Sequence, residues 1–233
     1  MNSDSQKLIP QPEKSQPEVW GASITKEQLA ELPAAVYDRE VTVVESPEAA
    51  RIAADVLKAE TIIGFDTETR PSFRKGQSYN VALLQLSTRS RCFLIRLNKI
   101  GLPQEIRDIL ENEAILKIGV SIHDDFHNLH RVYKLEPRGF IDLQSYVKDF
   151  GIIDNSLSRI FAILFDQRIS KGQRLTNWEA SELTVHQQEY AALDALACIK
   201  IYDYLQATPF VAEKSKYYRL ISNPSLNNPP AHD

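Results

Sequence analysis

Three short apolar runs follow one another between residues 61 and 97, and this succession constrains the fold more than any other feature. They read TIIGFDTE (61–68), VALLQLS (81–87) and RCFLIRL (91–97). Each has the length and the β-branched and aromatic content of a buried strand, and the last two are close enough to form a hairpin. We therefore expect three sequential, antiparallel strands.

The segments around these strands alternate between strand-like and helical patterns, which indicates an α/β fold. After a short strand at 41–44, Ser46-Pro47 supplies an N-cap followed by proline at the first helical position, and the helix runs to about Ala59. The other predicted elements are a helix from about Pro103, a strand at 115–121, a helix over 121–131, a helical stretch after Asp142 and a last helix from the capping box Thr184-Val-His-Gln187 to about Leu205.

The two ends of the chain differ from this central part. Residues 1–22 and 222–233 are polar and rich in Pro, Asn and Ser. They offer too little apolar surface to offset the entropy of ordering, so we expect two disordered tails. One domain is then expected at 23–221, with its motif-bearing core at 41–206.

Composition limits the classes of protein. No stretch has the pattern of a signal peptide or a membrane span, and Cys92 and Cys198 lie in apolar runs without CxxC spacing. We expect a cytoplasmic protein with two buried thiols and no membrane association. The formal net charge of −4 argues against coating nucleic acid by bulk electrostatics, although a local basic strip can still bind it.

Two carboxylates end the first apolar run. Asp66 and Glu68 are two residues apart on a strand, so their side chains lie on the same face, with backbones roughly 7 Å apart. That separation allows them to share a metal ion. A lone DxE is nevertheless more often a solvated strand end than a metal site.

The last helix carries a further carboxylate on an apolar stripe. Asp194 shares this stripe with Ala197, Cys198 and Ile201, and Tyr190 stands one turn before it. An unpaired buried carboxylate is costly, so a divalent metal shared with other acids is one economical partner. The alternative is that Tyr190 simply packs and its hydroxyl reaches the acid.

The stretch SIHDDFHNLHR (121–131) allows two interpretations. His123 and His127 have the spacing of the zinc-binding HExxH motif, but Asp124 replaces the catalytic Glu, which weakens that interpretation. The helix has an apolar stripe, and Asp125 borders it, whereas Asp124 lies on the polar face, where the helix dipole explains it. Partly exposed histidines are the simpler interpretation.

Taken together, the motifs IIGFDTET (62–69), ILKIGVSIHDDFHNL (115–129) and QQEYAALDALACIKIY (187–202) resemble the DEDD exonuclease superfamily. VALLQLS, FIDLQ (140–144) and KGQRLTNWEASELT (171–184) extend the resemblance to about residues 41–206. Within that superfamily, the chain resembles most the tyrosine branch, which includes ribonuclease D and the Werner exonuclease domain. The histidine branch has a His five residues before the last Asp, where this chain has Glu189.

The resemblance implies a ribonuclease H-like fold with a mixed central sheet, an antiparallel meander plus parallel strands, flanked by helices. It implies that Asp66, Glu68, Asp125 and Asp194 bind two Mg²⁺ or Mn²⁺ ions and that Tyr190 orients the attacking water. Asp66 would bridge both ions, with Glu68 and Asp194 at one and Asp125 at the other. Asp142 is interpreted as a helix cap.

The implied activity is 3′-5′ exonuclease hydrolysis of DNA or RNA to nucleoside 5′-monophosphates, acting on single-stranded or 3′-ended substrates. Basic residues flank the motifs, and Lys171, Arg174, Trp178 and His123 are the predicted substrate contacts, with Trp178 stacking on an unpaired base. The alternatives are a non-catalytic nucleic-acid-binding module on the same fold and, more remotely, a zinc hydrolase built on His123 and His127.

Overall fold

A six-stranded mixed sheet forms the centre of the computed structural model, which describes residues 19–221. The strands of the described residues are β1 Val19–Ala22, β2 Glu40–Val44, β3 Ile62–Thr69, β4 Val81–Ser87, β5 Arg91–Ile95, β6 Leu116–Gly119, β7 Phe140–Asp142 and β8 Tyr218–Ile221. Strands β2 to β7 form the central sheet, and β1 and β8 form a separate pair. The sheet has the order β2-β5-β4-β3-β6-β7. The pairs β3·β4 and β4·β5 are antiparallel, whereas β2·β5, β3·β6 and β6·β7 are parallel. The three sequential antiparallel strands and the mixed sheet are thus confirmed.

Helices cover both faces of this sheet. They are α1 Lys26–Glu31, α2 Pro47–Lys58, α3 Leu97–Ile100, α4 Gln104–Glu111, α5 Ile122–His130, α6 Leu143–Tyr146, α7 Leu157–Phe165 and α8 Val185–Ala207, with 3₁₀ turns at Val147–Phe150 and Ala212–Lys214. The predicted Ser46 cap of α2 and the Thr184–Gln187 capping box of α8 are both formed. None of the helices in residues 19–221 combines the length and the apolar character that a membrane-spanning segment needs.

The N-terminal boundary differs from the prediction. Residues 19–22 were expected in a disordered tail, but they form β1, which pairs antiparallel with β8 from Val19↔Ile221 to Ala22↔Tyr218. Neither strand is long enough to show a periodic pattern by itself, and each needs a partner from the other end of the chain. The rest of the predicted tails, 1–18 and 222–233, lies outside the described residues.

Strand β3 separates two layers. Ile63 and Phe65 are fully buried in a cluster with apolar residues of α2, α4 and α5. Because successive side chains on a strand alternate in direction, Gly64, Asp66 and Glu68 face the other layer, which contains α8. A β-carbon at Gly64 would overlap the carbonyl oxygen of Ala195, so α8 crosses β3 at backbone contact. This crossing brings α8 next to the two acids of β3.

Candidate active site

Three carboxylates meet where β3 passes under α8. One oxygen atom from each of Asp66, Glu68 and Asp194 lies within 4.8 Å of the other two. Gly64 is two residues before Asp66 on the same face of β3, and Ala195 directly follows Asp194, so the close helix–strand crossing fixes the distance between these acids. Among residues 19–221, this trio is the one group of His, Cys, Asp and Glu side chains with the spacing of a metal site.

Burial makes the negative charge of this trio costly. Glu68 and Asp194 are buried and Asp66 is half-buried. Burial raises the pKa of all three carboxyls, and the charge of Asp194 raises the pKa of Asp66 further, as the charges of Asp66 and Asp194 do for Glu68. The pKa of Asp194 rises to about 7 through burial, against the opposing effects of a hydrogen bond with Tyr190 and the positive charge of Lys171. Such a site favours either protons or a cation.

Asp125 joins the site from the opposite layer. It lies in the first turn of α5, and its carboxylate accepts a hydrogen bond from the hydroxyl of Thr67. Burial, followed by the charge of Asp66, raises the pKa of Asp125, while the Thr67 bond lowers it. Asp125 is therefore close to the trio without belonging to it. Asp124 is 83 % exposed, as the assignment of helix faces predicted.

Tyr190 lies one turn before Asp194 on α8 and is half-buried. Burial and then the charges of Asp194, Glu68 and Asp66 raise the pKa of its phenol, so the hydroxyl keeps its proton at neutral pH. The tyrosine can therefore donate a hydrogen bond to Asp194 and still accept one from another group.

Trp178 does not occupy the predicted position. Its side chain is 0 % exposed, so neither face of the indole is open to a base, and the predicted stacking on substrate is wrong for this structure. The ring instead packs 6.1 Å from the ring of Tyr190, centroid to centroid. From sequence alone, a Trp between basic residues is equally compatible with a surface and a core position. In the structure it belongs to the core, and its indole is the largest fully buried side chain among the described residues.

Two predicted basic residues lie next to the acids. Lys171 and Arg174 are exposed on the loop before α8. The charge of Lys171 lowers the pKa of Asp194, and the charge of Arg174 lowers the pKa of Glu68, so both cations act on the carboxylate site. Their accessibility leaves them able to meet an anionic ligand at its edge.

The histidines of α5 do not form a metal site. His123 has 95 % of its side chain exposed, and its Nδ1 lies 3.7 Å from an Asp124 carboxylate oxygen. His127 is exposed, and His130 Nε2 lies 2.8 Å from the Leu135 carbonyl oxygen. In the described part of the chain, His123 and His127 therefore do not act as the pair that an HExxH-type site requires.

Asp142 caps a helix, as predicted. Its carboxylate accepts hydrogen bonds from the backbone amides of Gln144, Ser121 and Ile122 at 2.9, 3.3 and 3.1 Å. It therefore holds the starts of α5 and α6 together. Because α5 carries Asp125, this cap also fixes the fourth acid.

Gln85 was not singled out in the sequence. It is fully buried on β4 directly opposite Asp66, so both side chains face α8. Neither its amide nitrogen nor its amide oxygen has a hydrogen-bond partner among the described residues. A polar residue within the apolar run VALLQLS was the available signal, since a strand buried on both faces otherwise excludes an amide.

A cavity of about 460 Å³ opens at the end of β3. Arg70, Phe73 and Arg74 line it from the loop after β3, and Leu175 and Asn177 line it from the loop before α8. Arg70 stacks over the ring of Tyr79 and pairs with Glu179 at 3.3 Å. The cavity combines positive charge with an exposed aromatic ring.

Comparisons with known proteins agree with this site. A family model described as 3′-5′ exonuclease matches residues 41–208. The chain is 34 % identical over 148 residues to Exonuclease 3′-5′ domain-containing protein 2 of Drosophila melanogaster, covering 62 % of this chain and 25 % of that protein. It is 31 % identical over 156 residues to the mouse bifunctional 3′-5′ exonuclease/ATP-dependent helicase WRN, covering 62 % of this chain and 11 % of WRN.

One solved structure shows the same fold. Escherichia coli RNase D superposes with a TM-score of 0.65 at 22 % identity, over 72 % of this chain and 44 % of RNase D. The matched part of the chain covers a quarter or less of the length of the two sequence relatives named above. With a matched region that contains the acid trio, Asp125 and Tyr190, the chain belongs to the 3′-5′ exonuclease family of the DEDD superfamily, with a ribonuclease H-like fold.

Proposed function

We propose that this chain is a metal-dependent 3′-5′ exonuclease that hydrolyses phosphodiester bonds of DNA or RNA and releases nucleoside 5′-monophosphates. The observation that carries the proposal is the meeting of three carboxylates, two of them buried and one half-buried, beside Asp125 and Tyr190. A folded protein retains so costly a cluster when a cation offsets its charge.

The proposed cofactors are two Mg²⁺ or Mn²⁺ ions, because the donors are all hard carboxylate oxygens. Asp66, Glu68 and Asp194 would hold one, and Asp66 with Asp125 the other. Divalent ions at such a site lower the pKa of bound water and stabilise negative charge on the attacking and leaving oxygens.

The remaining roles belong to side chains around the acids. Tyr190 keeps its proton, so its hydroxyl can orient the attacking water while it hydrogen-bonds to Asp194. Lys171 and Arg174 would contact substrate phosphates, and the exposed His123 would contact the strand at the edge of the site. The substrate is then a single-stranded or 3′-ended nucleic acid. Because both cysteines are free and buried, we propose a reducing compartment, the cytoplasm.

Digestion of 5′-labelled DNA and RNA oligonucleotides of equal sequence tests this function. With Mg²⁺ or Mn²⁺ we expect a descending ladder of labelled products, which EDTA abolishes. Asp66→Asn is the matched inactive control. Binding of the oligonucleotides without any shortening under either metal would instead identify a non-catalytic binding module, and release of the 5′ label as a mononucleotide would reverse the polarity.

A further inference from the structure

A second cavity, of about 230 Å³, lies directly beside Tyr190. Its inner wall is formed by Tyr190 and Leu193 of α8. Ser170 and Gln173 line it from the loop before α8 that also carries Lys171 and Arg174, called the basic loop below. Its outer wall is residues 35–37, which precede the region 41–208 that matches the family. The cavity therefore combines a residue of the proposed catalytic centre with a segment that the family match does not include.

This outer wall is firmly attached to the basic loop. The Ala35 amide donates to the Arg168 carbonyl and the Arg168 amide donates to the Pro33 carbonyl, both at 2.9 Å. The Arg168 guanidinium also donates to the Leu32 carbonyl at 3.0 Å, and the Tyr37 hydroxyl donates to the Glu40 carbonyl at 2.9 Å. The segment is thus held in place rather than lying loosely on the surface, and it fixes the loop that carries Lys171 and Arg174.

The chemistry of the cavity suits a flat, neutral group with polar edges. Val36, which is 77 % exposed, offers apolar surface, and Leu193 lines the cavity beside it. Ser170 and Gln173 supply hydrogen-bond donors and acceptors. Glu189 and His186 also line the cavity, and a Glu189 carboxylate oxygen lies 3.5 Å from His186 Nδ1. The negative charge of Glu189 disfavours a phosphate inside the cavity. The cations for phosphates are instead Lys171 and Arg174, on the loop that forms one side of the cavity.

We propose that this cavity binds one nucleobase of the substrate strand, with Val36 packing against the base and with Ser170 and Gln173 reaching its polar edge. This inference rests on the proposed exonuclease function and names a subsite for it. Because Tyr190 lines both the cavity and the carboxylate site, the bound base belongs to a nucleotide close to the phosphodiester that is cleaved. Stacking and packing on a base are largely tolerant of sequence, so the subsite favours an unpaired strand rather than a particular sequence.

Single-stranded oligonucleotides with one abasic residue at successive positions from the 3′ end test the subsite. Binding is measured by fluorescence anisotropy in EDTA, and KM and kcat are measured with Mg²⁺. For the wild-type chain we expect one abasic position to weaken binding about tenfold, or about 1.4 kcal/mol, because the contact with the base is lost. Abasic residues at the other positions should have smaller effects. The sensitive abasic position should raise KM more than it lowers kcat.

Val36→Asp should weaken binding of the intact oligonucleotide to the level of the abasic one and remove the dependence on that position. Val36→Ser, which avoids a new charge next to Glu189, should show the same trend to a smaller extent. Ile52→Asp is the matched control, because Ile52 is also an exposed aliphatic residue, 61 % accessible, and lies on α2. It should bind and degrade every oligonucleotide as the wild type does, with a circular dichroism melt that confirms folding of all three variants.

Two failures are distinguishable. If the wild type degrades the oligonucleotides but all abasic positions are equivalent, or if Val36→Asp retains the positional loss, the subsite proposal is overturned and the exonuclease function stands. If the wild type neither binds nor shortens any oligonucleotide with either metal, the proposed function is overturned, and the subsite with it.

Discussion

The two faces of strand β3 have opposite compositions. On the face toward α5, Phe65 makes ring contacts with Phe126 and Phe140 at 6.0 and 5.1 Å within a cluster of buried apolar side chains. On the face toward α8, Gly64 allows a backbone crossing, and Asp66 lies opposite Gln85, whose amide has no hydrogen-bond partner within residues 19–221. One face of the strand therefore stabilises the fold, and the other accepts a cost in stability to assemble charge.

The difference shows where a site can be built in this sheet. Apolar burial in the Phe65 layer contributes stability that offsets the buried carboxylates in the α8 layer. Mutations in adjacent residues of β3 should then have opposite consequences for stability and for activity. The predictions below test this contrast, from the largest expected effect to the smallest.

The largest contrast is expected between the neighbours Asp66 and Phe65. Asp66→Asn should lower exonuclease turnover by about 10³-fold or more, because several kcal/mol of transition-state stabilisation are lost, while unfolding in EDTA stays as in the wild type or improves. Phe65→Leu should lower the free energy of unfolding by about 1 kcal/mol and leave kcat nearly unchanged. Urea unfolding and initial rates measure both, and a stable, fully active Asp66→Asn enzyme would remove the contrast.

The α8 face should also make stability depend on pH when metal is absent. The pKa of Asp194 is raised from 3.8 to about 7, so its contribution is fully present below about pH 4 and is lost as the pH rises through 7. The loss amounts to about 4 kcal/mol at most. We expect the unfolding free energy in EDTA, wild type minus Asp194→Asn, to fall across this range. Saturating Mn²⁺ should abolish the fall, and a flat difference in EDTA would contradict it.

Gly64→Ala should affect the stability of the fold and the geometry of the acids together. The new β-carbon overlaps the carbonyl of Ala195, so α8 must move away from β3 and carry Asp194 away from Asp66. We expect a loss of about 1–3 kcal/mol in unfolding free energy together with a weaker thermal shift on adding Mn²⁺. At Gly172, a β-carbon would meet its nearest neighbour at an ordinary 3.5 Å, so Gly172→Ala is the stability control. A Gly64→Ala protein with an unchanged Mn²⁺ shift would show that the crossing does not set the acids.

Gln85→Leu should increase stability in EDTA by about 1 kcal/mol, because it removes a buried amide with both polar atoms unpaired and keeps a similar volume. Thermal unfolding measures the gain. The matched control is Leu84→Gln, the adjacent residue of β4 in the apolar layer, which should be strongly destabilising. Destabilisation by Gln85→Leu would mean that the Gln85 amide forms a stabilising hydrogen bond, and that the α8 face does not leave it unpaired.

The smallest effect separates the neighbouring acids of α5. Asp124→Asn should cost about 0.5 kcal/mol of stability through the helix dipole and leave activity intact. Asp125→Asn serves as its counterpart and should abolish activity, because Asp125 is the acid held by Thr67. Steady-state rates for the pair, with His123→Ala and His127→Ala alongside, decide the assignment. An inactive Asp124→Asn with an active Asp125→Asn would reverse the helix faces.

The sequence was informative where a local rule applied. The caps at Ser46 and Thr184 and the period of α8 are set within a few residues, so the starts of α2 and α8 and the position of Asp194 on α8 could be predicted. The burial of Trp178 could not, because it depends on how the loop before α8 folds against Tyr190. Likewise the Thr67–Asp125 bond joins residues 58 apart, and no spacing rule connects them.

The pairing of β1 with β8 gives the protein an order of assembly. Val19 and Ile221 are partners although almost the whole chain lies between them, and contacts of such long separation form late because closing the loop is entropically costly. The acids of β3, α5 and α8 need only the chain up to α8. The wall beside Tyr190 is hydrogen-bonded to Arg168, which also precedes α8, so neither the wall nor the carboxylate cluster needs β8. We therefore expect the pairing of the two chain ends to form last, after both the wall and the carboxylate cluster have assembled.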